Sequence, residues 1–150
     1  MKRNIKRIIS LSLLARQIFG VAKEILEEQK LVAPHCLLED ENHEIVYVAL
    51  QEDEIHWGTS IRHFLEMHNT IRYYFVNEAW STNLENHIRG VAVRDNPLKY
   101  EVLHVLAVSR TGEQLLLTQQ VSREGSEIRF LGEVVEATVV KTFQDFPMKW

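Results

Sequence analysis

From Leu11 the apolar residues recur as Leu11, Leu14, Ala15, Ile18, Ala22, Ile25 and Leu26, the i, i+3, i+4, i+7 spacing of one helical face. Ser10 stands where an N-cap is wanted, and Pro34 disfavours helical backbone in the residue before it, so a first helix is expected between them. "HCLLEDENHEIVYVAL" then gives two apolar runs, 36–38 and 45–50, around a polar cluster at 39–44, which reads as a hairpin. The second run is apolar at every position. It predicts an inner strand covered on both faces, or a sheet with one face in a dimer interface.

Between 54 and 69 the helical period returns with Trp57, Ile61, Phe64, Leu65 and His68 along one stripe. Asn69 and Thr70 supply the stop, and "IRYYFVNEAW" begins a strand at once. Residues 81–100 sustain neither period and contain Ser, Thr, three Asn, Asp, Gly and Pro, so they form the longest expected loop, a length that usually goes with function or mobility. "EVLHVLAVSRTGEQLLLTQQV" reads as two strands about Arg110-Thr111-Gly112. "SREGSE" is a second turn, followed by "IRFLGEVVEATVV", one long bent strand or two short ones divided near Gly132.

The order is α-β-β-α-β-β-β-β. Four consecutive strands joined by short turns imply an antiparallel meander, and the expected architecture is an α+β two-layer sandwich, a sheet of about five to seven strands with both helices on one face. Residues 1–150 form a single domain, with a basic N-terminal segment at 1–9 and a tail at 142–150 whose Phe143, Phe146, Met148 and Trp150 are able to dock on the body or on a second subunit.

Composition narrows the classes. One domain of 150 residues buries enough surface for a single core, and three prolines and six glycines leave little room for linkers. The net charge of −4 offers no field for a polyanion, which argues against nucleic acid. Lys2, Arg3, Lys6 and Arg7 before the apolar run 8–15 imitate a secretory signal, but Arg16 and Gln17 interrupt it and no stretch reaches the ~18 apolar residues of a membrane span. A soluble helix is expected there; a targeting or membrane-surface helix is the alternative. Cys36 is the one cysteine, which excludes an intramolecular disulfide and fits a reducing, cytoplasmic setting.

The candidate chemistry is sparse. Along the strand 71–80, Asn77 shares a face with Tyr73 and Phe75, while Glu78 shares the other with Tyr74, Val76 and Trp80. A simple two-residue turn at Thr111-Gly112 pairs His104 with Gln119, and Asn77 joins them if its strand lies alongside. Such a polar set makes His104 a base or an orienting group; a satisfied buried hydrogen-bond cluster is the plainer reading. Glu78 beside Trp80 is a candidate acid/base or recognition carboxylate, against an ordinary ion pair with Arg or Lys.

Seven histidines, His35, His43, His56, His63, His68, His87 and His104, show no metal-ligand spacing: His63 and His68 stand about 140° apart on a helix, and no H-E-x-x-H occurs. Neither a metal nor another cofactor is implied. Ser109 lacks a G-x-S-x-G frame, Cys36 lies in an apolar strand, and no glycine-rich phosphate loop exists.

"VNEAW", the polar loop after it and the 101–121 hairpin resemble a group of small, uncharacterised bacterial or bacteriophage α+β proteins. The similarity covers residues 36–121. It implies a prokaryotic or phage source and a shared fold, and carries no catalytic residue onto this chain. The leading expectation is a protein that acts by binding rather than catalysis and self-associates as a dimer, with Phe143, Phe146 and Trp150 at the interface and a further protein partner allowed. The alternative is a small-ligand binder or enzyme with Glu78, Trp80 and His104 at a cleft covered by loop 81–100, and Asn77 and Gln119 as further binding residues.

Overall fold

The computed structural model describes residues 9–51, 53–137, 143 and 145–150; Lys2, Arg3, Lys6 and Arg7 and tail positions 142 and 144 lie outside the described residues. Helix α1 spans Leu11–Gln29. Ser10 caps it, its hydroxyl oxygen accepting from the Leu13 amide at 3.1 Å, and Lys30 ends it in the left-handed region at φ 64° while donating to the Leu26 carbonyl. Strands β1 (His35–Asp40) and β2 (Ile45–Ala49) form the first hairpin. A 3-10 turn at Glu54–His56 leads into α2 (Trp57–Met67). Then come β3 (Thr70–Ser81), β4 (Tyr100–Ser109), β5 (Gln114–Glu124) and β6 (Glu127–Ala137). Among the described residues no helix is long and apolar enough to cross a membrane.

The α+β class and the order α-β-β-α-β-β-β-β stand as the sequence predicts. The six strands make one antiparallel sheet in the order β2-β1-β3-β4-β5-β6. The placement of the helices differs from expectation. Leu11, Ala15, Ile18, Ala22 and Leu26 of α1 pack on Tyr74, Val76, Leu103, Val105 and Leu117, whereas Ile61 and Leu65 of α2 pack on Tyr73, Phe75, Leu106 and Val108. Alternate residues of one strand point to opposite faces, so the helices cover opposite sides and the architecture has three layers rather than two. Burying both faces places β3 and β4 in the dry centre, each large apolar side chain there contributing roughly 1.5–3 kcal/mol.

Cys36, on β1, is fully buried in the α2 layer, and burial pushes its thiol far above the usual range. The tail segment completes this layer. Phe143 and Phe146 pack edge-on to Phe75, the Tyr73 hydroxyl donates to the Pro147 carbonyl at 2.7 Å, and the Trp150 indole N–H donates to the Thr70 carbonyl at 2.8 Å. Phe143, Phe146 and Trp150, expected at a subunit interface, are thus used within the chain: Phe143 and Phe146 are buried, and Trp150 is half-buried against Tyr73. They seat there because Gly58 of α2 has no side chain; a Cβ on it would run into the Asp145 carbonyl.

Candidate functional site

The register of the β4–β5 hairpin decides which polar residues meet. Val108 pairs with Gln114 and His104 with Thr118, because the loop is three residues long, 110–112, with Gly112 at φ 99°. The expected two-residue turn is therefore one residue too short, and Gln119 lands opposite Leu103, on the other face from His104. There its side-chain amide donates to the Gly132 carbonyl at 2.8 Å, where the β5–β6 register shifts, and its Oε1 finds no hydrogen-bond partner among the described residues. β6 is one strand with an irregularity at that point.

Asn77 does pair directly with His104. The His104 ring lies edge-on to Phe143 at 6.1 Å, and burial depresses its pKa to about 4. It is a neutral imidazole in an apolar layer at pH 7.

Glu78 pairs with Leu103 on the opposite face, so Glu78, Trp80 and His104 do not converge. Glu78 instead meets Glu101 and Arg123. The Arg123 guanidinium donates through Nε to Glu101 Oε2 at 2.8 Å, through one terminal nitrogen to both Glu101 and Glu78, and through the other to the Lys30 carbonyl at 2.7 Å. Glu78 Oε2 accepts from the Val32 amide at 2.9 Å. Burial, reinforced by Glu101, raises the Glu78 carboxyl; burial acts the same way on Glu101 but is outweighed by its Arg123 and Glu78 hydrogen bonds, which hold it low. One raised and one depressed carboxyl is an acid/base arrangement in form, yet the oxygens are committed to tying the end of α1 to β3, β4 and β5. Trp80, opposite Glu101, is half-exposed, and Lys99 from the 82–99 connection lies 5.1 Å from its ring.

A second cluster is one the sequence reading missed. Glu39 of β1 is 1% exposed; its carboxylate takes a two-pronged bond from Arg72 at 2.9 and 2.6 Å, a third from the Tyr74 hydroxyl at 3.1 Å, and faces His43 Nδ1 at 2.7 Å. Burial alone would raise this carboxyl, but Arg72, His43 and Tyr74 together hold it low. The available signal was Arg72 and Tyr74 on one face of an otherwise apolar strand. Among the described residues no group of three His, Cys, Asp or Glu side chains is gathered to hold a metal.

An open apolar feature lies beside α1. Helix α1 packs over β3, β4, β5 and β6, His35, Leu37 and Glu39 of β1 are buried or partly buried beside it, and β2 is left exposed on that face. A groove of about 240 Å³ runs between α1 and β1, with Leu14, Val21, Ile25 and Leu37 on its walls and His35 at one side. The His35 ring packs on Tyr47 of β2 at 4.9 Å. β2 is not the inner strand that its composition suggests but an edge, with Ile45, Val46 and Tyr47 all exposed and Tyr47 58% accessible. Comparison of the chain with known protein families, with curated proteins and with solved structures finds no match.

Proposed function

We propose that this chain is a binding module that self-associates through the exposed apolar surface built from the flank of α1 and from β2. The observation that carries the reading is β2 itself, a strand of five residues with no charge, glycine or proline, exposed at the edge of the sheet. It continues into the apolar groove under Val21, itself 55% exposed, so the bare surface is contiguous. Contiguous apolar surface of this kind on a folded chain marks a partner site. Sedimentation equilibrium on the full chain should give the mass of a dimer in the micromolar range, and Val21→Lys should weaken it. A monomer throughout that range overturns the proposal.

One observation favours a second reading, a small-ligand site: Trp80 is 49% exposed beside Glu101, with the Lys99 ammonium over its ring. Native mass spectrometry separates the two, since an added mass that Trp80→Ala removes belongs to the ligand reading alone.

A further inference from the structure

The two edges of the sheet are protected very differently. β6 carries Glu127, Arg129, Glu133 and Glu136 and an irregularity at Gly132, the usual devices against edge pairing. β2 carries none of them.

The backbone phase of β2 follows from its pairing with β1. The Asp40 amide donates to the Glu44 carbonyl at 3.0 Å and the Leu50 amide to the Pro34 carbonyl at 3.1 Å, in a register that pairs Val46 with Leu38 and Val48 with Cys36. Hydrogen-bonded and non-hydrogen-bonded pairs alternate in an antiparallel ladder, so Val46 and Val48 turn their backbone groups to β1. Ile45, Tyr47 and Ala49 turn theirs outward.

Resting on the self-association proposed above, we infer that the occupant of this edge is β2 of a second copy, antiparallel, with the two-fold axis through Tyr47. This register matches every outward-facing group: Tyr47 pairs with its own counterpart, and Ile45 with Ala49 on each side of the axis. It also sets a large side chain against a small one and Val46 against Val48. The flanking charges agree, because Glu44 then faces Leu50 and His43 faces Gln51, so no acid opposes an acid. The product is a continuous twelve-stranded sheet in which both α1 helices stand on the same side, and the exposed faces of the two β2 strands join.

The test uses sedimentation equilibrium on the full chain and two variants, Tyr47→Lys and Tyr47→Glu, with circular dichroism as the check that each folds; the exposed position makes that the expected result. Each variant alone places like charges against each other on the axis and should raise the dimer dissociation constant about tenfold or more. Mixed in equal amounts they set Lys against Glu and should restore pairing as a mixed dimer, a rescue that only a register with residue 47 on the axis provides. Variants that dimerise as the parent does, or a mixture that stays monomeric, overturn the inference. A parent dimer that Val21→Lys dissociates and the Tyr47 variants do not would retain self-association and remove the β2 pairing, whereas a monomeric parent removes both.

Discussion

At pH 7 the His104 imidazole is neutral because the α2 layer gives it apolar neighbours and little water, and its pKa falls to about 4. In the unfolded chain the same group titrates near 6.5, so between those values the unfolded state binds more protons. The associated stability is fully present above pH ~6.5 and is lost as the pH falls toward 4. His104→Gln should therefore shrink the loss in unfolding free energy between pH 7 and 5 by about 2 kcal/mol, read by urea denaturation at both values. An unchanged pH dependence would show that the ring is hydrated in the fold. The alternation of side chains already separates Asn77 from Glu78 in the sequence, and the structure keeps that separation. What the sequence hides is Gln119, misplaced by one residue of turn length, and Glu39, whose position in a polar turn cluster gives no sign of an arginine 33 residues later in the chain. Both depend on pairings that local patterns do not encode.

Among the elements, both helices, the two hairpins and the bend at Gly132 are legible because each rests on a local period or a turn residue. The side of the sheet each helix covers is not, since an apolar stripe says that a helix is covered and not by what. A usable hint lay in β3, where Tyr73 and Phe75 on one face and Tyr74 and Val76 on the other are equally apolar, as two covered faces require. Phe143 and residues 145–150 complete the second cover, approaching α2 at Gly58. Gly58→Ala should push that segment off the helix and cost on the order of 1–3 kcal/mol, with Trp150 becoming more accessible to fluorescence quenchers and the melting temperature falling. An unaltered melting temperature would mean that the segment shifts without losing its aromatic contacts.

For the whole molecule, the length and the order of elements lead to one sheet in one α+β unit, but the identity of the edge strand comes only from strand order, so an apolar β2 reads equally well as a central strand. Its true place at the rim leaves the α1 side of β2 exposed, and Phe143, Phe146 and Trp150, the sequence's other apolar surplus, are absorbed by the core. The sealed thiol next to that rim gives the chain a clock of its own. Cys36 is its one cysteine and is sealed under the α2 layer on the strand that β2 flanks, so a maleimide reacts only in the moments when that cover or the strands beside it open. Labelling should follow first-order kinetics at a rate set by opening rather than by the reagent's access to a surface group. If a second copy bolts the outer strand in place and the thiol is reached by opening at that rim, the rate should fall as protein concentration rises, whereas a rate indifferent to concentration would mean that the thiol is reached through the α2 cover or that the rim is free.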